Sequence, residues 1–306
     1  MNSISSPELR HIKHAEIDRG LWDKVVGLSA NSRVYAFSWY LDRVSERWEA
    51  LVWGDYEFVM PLTARRKWGL SYLYTPAFCQ QLGIFPIPEK SIQQLFFKWI
   101  RQHYRYIQIQ VNSGLDPEVF EGFDVTIRDN YILPLFGSYQ TVSSGYSKHT
   151  VRNLSRAVHA GITTVKGMNA SDFIQAKNAL NKSKVNKSTY ASLERIIAFV
   201  QSEGSGNLYG AYSRHNELCA AALFLRSGSR AVYLSAFSTE EGKETRAMYA
   251  IVDRFIRDGC RTGMLLDFEG SSMPGIARFY KGFGAHLENY YHLYHNNLPF
   301  PLNRLK

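Results

Sequence analysis

"NLYGAYSRHNELCAAALFLRSGSRAVYLSAFS", residues 207–238, is the stretch whose reading decides the fold. Two apolar, aromatic-rich runs flank the polar segment Arg214–Glu217, and a third run follows Gly228-Ser229. Short apolar runs punctuated in this way read as a hairpin followed by a third strand. Beyond it, "TRAMYAIVDRFIRDG" (245–259) sets Met248, Ile251, Val252, Phe255 and Ile256 at helical spacing, and Gly259 ends the pattern. "GMLLDFEG" (263–270) then reads as one more strand, giving the order β-β-β-α-β.

The same order occurs earlier in the chain. "EALVWGDYEFVMPLTARR" (49–66) reads as a hairpin about a short polar turn, and "LSYLYTP" (70–76) as a third strand. "SIQQLFFKWIRQHY" (91–104) places Ile92, Leu95, Phe96, Trp99 and Ile100 on one helical face, and "YIQIQV" (106–111) closes the set. Between the two sets, "LFGSYQTVSSGYS" (135–147) is rich in Gly and Ser and reads as a boundary. The expectation is a mixed α/β (α+β) protein of two similar domains, 1–138 and 139–306, each with a mostly antiparallel sheet flanked by helices.

Composition narrows the class. A chain of 306 residues that is 45% hydrophobic supports two cores of ordinary size. It has no run of about 18 apolar residues and no apolar N-terminal leader. Its 3 cysteines are far apart, which favours neither a disulfide framework nor a zinc site; the expected setting is the cytoplasm. Residues 1–138 hold 15 Lys/Arg and 15 Asp/Glu, so the remaining 36 − 15 = 21 basic and 27 − 15 = 12 acidic residues put the whole net charge of +9 in the second half. A basic half beside a neutral one points to a phosphate-bearing partner, or else to a basic solvated surface.

Three stretches carry a resemblance to a known family: "YSKHTVRNLSRAVHAGI" (146–162), "LLDFEG" (265–270) and "GIARFYKGFGA" (275–285). They resemble, in order, the basic helix opening the second domain, the penultimate core strand and the closing segment of the Fem-type peptidyltransferases, which carry the GNAT N-acyltransferase fold in tandem. The resemblance implies transfer of an acyl or aminoacyl group to a primary amine. It also implies acyl-CoA or aminoacyl-tRNA as co-substrate with no permanently bound cofactor, and partners such as tRNA or an envelope precursor met at the membrane periphery. The chain departs from ordinary GNAT acetyltransferases at "STEEGKETRAMYA" (238–250), where a glycine-rich pyrophosphate loop is replaced by Gly242 and three glutamates. It departs from the Fem pattern where a Phe-Lys pair becomes Phe279-Tyr280-Lys281, which turns the lysine about 100° around a helix. The alternatives are an acyl-CoA-dependent N-acetyltransferase of a small amine, or an inactive GNAT scaffold that binds nucleic acid or an envelope precursor.

Candidate site residues follow from both readings. Glu269 is the candidate base for the attacking amine, sharing strand parity with Asp267, with Tyr280 as hydroxyl donor and Lys281 as catalytic cation. The competing readings are a loop ion pair of the carboxylates with Arg278 or Lys281, and core packing for Tyr280. Ser238, Thr239, Lys243 and Arg246 are the candidate donor-phosphate residues. Lys148, Arg152 and Arg156 recur every four residues, so they form either a polyanion-binding stripe or a solvated face opposite Val151, Leu154 and Val158. Gln80 and Gln81 are candidate acceptor-binding residues, beside aromatics such as Tyr35, Trp39 and Tyr72. His292 and His295, three apart on a strand, point to opposite faces, so no metal site is expected.

Overall fold

The computed structural model describes residues 8–67, 69–180, 187–270 and 273–304; Ser271 and Ser272, expected to form the turn after Glu269, lie outside them. The chain divides into two compact units, Met1–Arg128 with Asn289–Lys306, and Asp129–Glu288.

The first unit begins with β1 (Leu9–Ile12), α1 (Arg19–Leu28), α2 (Ser38–Val44), β2 (Glu49–Trp53) and β3 (Phe58–Leu62). It continues with β4 (Ala64–Lys67), β5 (Leu70–Tyr74), α3 (Lys90–His103) and β6 (Tyr106–Val111). The chain then passes along β7 (Asp124–Leu135) into the second unit, with α4 (Tyr139–Ser143), α5 (Lys148–His159), β8 (Thr163–Lys166), α6 (Ala170–Leu180) and α7 (Lys187–Ser202). There follow β9 (Gly206–Tyr212), β10 (Leu218–Ser227), β11 (Arg230–Ser238), α8 (Glu240–Glu244), α9 (Ala247–Gly259), β12 (Met264–Asp267), α10 (Pro274–Gly282) and β13 (His286–Asn296).

In the first unit, β1, β2 and β3 make one antiparallel sheet. The hairpin expected over 49–66 breaks at Thr63, whose hydroxyl donates to the carbonyl of Tyr74. The chain after it, β4, pairs with β5 instead. β5 lies parallel to β6, and the other edge of β6 takes β13, with Tyr291 opposite Val111 and Asn296 opposite Tyr106. Phe96, Phe97 and Ile100 of α3 pack with Leu73, Ile107, Ile109 and Leu293. The buried face of α3 differs from the expected one: Leu95 is 42% exposed, and Gln93 turns inward to donate to the Pro88 carbonyl and accept from the Asp116 amide. Two satisfied hydrogen bonds offset the cost of burying that amide.

The second unit has its own core, in which Phe224, Phe255, Phe268, Tyr280 and Phe283 are prominent. β8 pairs with β9, β9 with β10 and β10 with β11, each antiparallel. β12 joins β11 in parallel and β7 antiparallel. β10 is buried from Cys219 to Leu225, the unbroken apolar run of a strand covered on both faces. Residues 135–147, expected as a boundary, are fastened to this core: the hydroxyls of Tyr139 and Tyr146 both donate to Asp253 Oδ1 on α9, at 2.7 and 3.0 Å. The division accordingly falls at 128/129 instead of 138/139, and residues 289–296 of the last strand count with the first unit.

Candidate active site

The site grows from the way β11 and β12 part. They pair only from Arg230 opposite Leu265 to Val232 opposite Asp267; β11 then runs on to Ser238, while β12 ends. Hydrogen bonds to the other neighbour draw the chain after β12 aside. The Phe268 amide donates to the Tyr131 carbonyl at 2.9 Å, and the Tyr131 amide donates back to the Glu269 carbonyl at 3.3 Å.

Glu269 holds a left-handed backbone, φ 61°, a conformation that costs a non-glycine residue about 1–3 kcal/mol unless its surroundings impose it. Asp267 imposes it. Its Oδ1 accepts from the Glu269 amide at 2.9 Å, and its Oδ2 is paired with Arg230. Arg230 also reaches Glu288, at 3.1 Å, and Asn130 donates to the same glutamate at 3.0 Å. Asp267 is wholly buried, so its charge depends on these partners. The expected pairing of Asp267 with Arg278 or Lys281 is replaced by Arg230, which sequence reasoning had absorbed into a strand.

Where the strands part lies a cavity of about 560 Å³. Its walls are mainly apolar, with Tyr233, Met248, Phe268, Phe279 and Tyr280 among them. Three charged side chains line it: Glu269, Lys243 and Arg246. Tyr280 stacks on Phe268, ring centroids 4.7 Å apart, so the core reading and the site reading of this tyrosine describe one placement. Burial, followed by the charges of Glu269 and Asp267, raises the Tyr280 phenol well above its usual range, and burial does the same to Tyr233. Both remain protonated at neutral pH; the Tyr233 hydroxyl donates to Met248 Sδ at 3.1 Å.

Arg246 precedes α9 in a left-handed backbone, φ 65°. Its Nε is buried with no hydrogen-bond partner among the described residues. As the residue before the first turn of a 13-residue helix, Arg246 brings a cation to the helix end that favours an anion. Lys243 lies nearby with Nζ 2.7 Å from Glu240. Ser238 lines the cavity, whereas Thr239 caps α8, accepting from the Gly242 amide and donating to the Cys219 carbonyl. Gly242 has a packing duty: a Cβ there would lie 1.9 Å from the Cys219 carbonyl oxygen.

The remaining candidates lie elsewhere. Lys281 is exposed, is not among the residues lining the cavity, and has its Nζ 5.4 Å from the Tyr131 ring centre. Lys148, Arg152 and Arg156 are all exposed on α5, whose buried face is Thr150, Asn153 and Ala157. The face expected opposite the stripe is thus rotated, with Val151 and Val158 54% and 74% exposed. Gln80 and Gln81 are buried in the first unit; the Gln81 amide donates to Gln80 and accepts from the Ser113 amide. No group of His, Cys, Asp or Glu suited to a metal occurs among the described residues, the cysteines are free thiols, and no described helix is long and apolar enough to cross a membrane.

Solved structures share this chain arrangement. A crystal structure of FemX superposes with a TM-score of 0.67 at 13% identity, covering 97% of this chain and 99% of its own. A tandem GNAT protein from the clavulanic acid biosynthesis pathway gives 0.57 at 12% identity, covering 94% and 98%. This is a tandem GNAT fold. The C-terminal domain of a putative lysylphosphatidylglycerol synthetase from Agrobacterium fabrum is also similar, with a TM-score of 0.55 at 9% identity over 91% and 92% of the two chains. No protein-family model matches the sequence, and no curated protein matches it. Within that fold the cavity lies where β11 and β12 part.

Proposed function

We propose that the protein is a Fem-like N-acyltransferase that moves an aminoacyl group from an aminoacyl-tRNA to a primary amine. The observation that carries this reading is the cavity at the β11/β12 divergence, where Glu269 and the Arg246 guanidinium are charged groups on mainly apolar walls. In the reaction the amine nitrogen attacks the ester carbonyl carbon and forms a C–N bond. Glu269 accepts the ammonium proton, and the tetrahedral centre collapses by breaking the C–O bond to the ribose, whose oxygen leaves with the bonding pair and takes that proton back from Glu269, restoring the carboxylate. Orientation in a site shielded from water supplies most of the rate in such a direct transfer. In this reading Arg246 holds a phosphate of the donor and Tyr280 donates a hydrogen bond within the cavity.

Two features favour aminoacyl-tRNA over acyl-CoA. Gly242 is spent on packing against Cys219 and leaves no glycine-rich cradle, and the segment that follows Thr239 carries Glu240, Glu241 and Glu244, which repel a pyrophosphate. The exposed basic stripe of α5 gives a long polyanion a second place to bind.

Thermal stability with acetyl-CoA, aminoacylated tRNA and a UDP-linked peptide tests the reading. Any ligand held by the native state at 100 times its Kd stabilises by about 2.7 kcal/mol, so aminoacylated tRNA is expected to raise Tm, and labelled amino acid to pass to an amine acceptor. Stabilisation by acetyl-CoA alone, accompanied by acetylation of small amines, would replace it with the CoA-dependent reading. No transfer from any donor would leave a binding scaffold.

A further inference from the structure

Rings and alkyl chains make up most of the cavity wall that the reaction above leaves unused. Glu269, Arg246 and Lys243 are its charged lining residues. Around them, Tyr280 stacks on Phe268 with ring centroids 4.7 Å apart, and the Tyr233 ring lies 6.2 Å from each of the two. Met248 adds a flexible thioether, a side chain that adapts to the shape of what it touches. Ile276, Phe279 and Tyr280 stand three and four residues apart on α10 and so share a face. All three line the cavity, and Ile276 is 37% exposed.

The reacting carbon carries four groups at the tetrahedral centre: the amine nitrogen, the ribose oxygen, the oxyanion and the α-carbon. The nitrogen gives its proton to Glu269, and the ribose oxygen leads to the phosphates. The α-carbon brings the amino-acid side chain, which begins two bonds from the reacting carbon. A donor that reacts in this cavity therefore puts its side chain there too. Apolar walls favour a group that takes apolar surface out of water and disfavour an unpaired charge. The volume of about 560 Å³ is generous, since about 150 Å³ already holds a benzene ring. A glycyl or alanyl group would leave the rings facing water.

We propose that the cavity selects donors whose aminoacyl group has a large apolar side chain, of the leucyl or phenylalanyl kind, and that Tyr233, Met248, Ile276 and Phe279 set this preference. The inference rests on the acyl-transfer reading and names its substrate class.

Three kinds of donor are disfavoured, each for its own reason. Small acyl groups forgo burial against the rings. An aspartyl group brings a second carboxylate beside Glu269, and like charges repel. A lysyl group brings an ammonium that pairs with Glu269 and competes with the acceptor amine for the base.

The test charges one tRNA in turn with phenylalanine, leucine, alanine, glycine, lysine and aspartate, and measures kcat/KM for transfer to one primary amine. At about fourfold per buried methylene, the three further carbons of leucyl should favour it over alanyl by about 50-fold. Phenylalanyl should match leucyl, and the two charged groups should fall below alanyl. Ile276→Trp, which fills the cavity from an exposed position, should cut the leucyl-to-alanyl ratio by about tenfold without lowering Tm. A flat series, a preference for alanyl or glycyl, or a ratio that Ile276→Trp leaves unchanged overturns the assignment while leaving acyl transfer intact. Absence of transfer from every charged tRNA by the wild type overturns acyl transfer itself, and this assignment with it.

Discussion

Glu269 shows how a single backbone conformation places a carboxylate. Its φ of 61° is held by the Asp267 Oδ1 contact to its own amide, and Asp267 is held in turn by Arg230. Two predictions separate charge from positioning. Glu269→Gln keeps the shape and removes the base, so kcat should fall by about 10²–10⁴-fold while donor binding persists. The loss should be partly recovered at high pH, where the free amine forms unaided; full activity at neutral pH would exclude the base role. Asp267→Asn leaves Arg230 with half of its compensation inside the protein. Breaking a buried pair costs about 3–5 kcal/mol, so this variant should show a large drop in the urea midpoint, whereas Glu269→Gln should not. Equal stability of the two variants would mean that Arg230 and Glu288 suffice. The residue scale was only partly legible in sequence. Glu269 and Tyr280 were visible because a strand ending in Asp-x-Glu before Gly marks a strand mouth. Arg230 was not, since an arginine starting a strand looks like a surface residue until tertiary contacts are formed.

At the scale of elements, periodicity identified what lies close in sequence and missed what long-range contacts decide. α3 and α9 were readable because apolar residues recur at helical spacing, but the buried face of α3 is shifted by Gln93, whose partners Pro88 and Asp116 lie outside the helix. α5 was readable as a helix, while its buried face was not. Small and polar residues, Thr150, Asn153 and Ala157, face inward, so hydropathy alone chose the valines. The consequence is an exposed surface carrying Lys148, Arg152 and Arg156 together with Val151 and Val158. Under the acyl-transfer reading these three cations are where a polyanionic donor would be held. Lys148→Glu with Arg152→Glu should therefore weaken binding of aminoacylated tRNA and flatten the dependence of log K on log salt by close to two contacts' worth, about 0.7–0.9 per phosphate contact. Filter binding across a salt series measures it. An unchanged slope would return the stripe to a solvated face.

At the scale of the whole molecule, the duplicated β-β-β-α-β order was legible because each set is local, but the destination of the last strand was not. Strand pairing between residues 106–111 and 291–296 reaches in sequence across the whole of the second unit, Asp129–Glu288, and no local pattern in either strand encodes its partner. The first unit is therefore discontinuous: its core takes Leu293, which is fully buried, from beyond the second unit. Among the described residues, the buried core of the second unit is drawn from between 131 and 285. This asymmetry makes a prediction for a chain ended after Glu288. The first unit would lose β13 and expose the edge of β6, together with the apolar side chains that Leu293 covers; deleting one such buried leucine side chain already costs about 2–5 kcal/mol. The second unit would keep Glu288, and with it the Arg230 contact that steadies Asp267. Hydrogen exchange should show residues 9–111 losing protection while β9 to β12 retain theirs, and limited proteolysis should leave a resistant fragment close to residues 129–288. Leu293→Ala in the full-length chain should produce the same pattern in milder form. Equal loss of protection in both units would mean that they fold as one cooperative body, and retention of both would mean that β13 contributes little to the first.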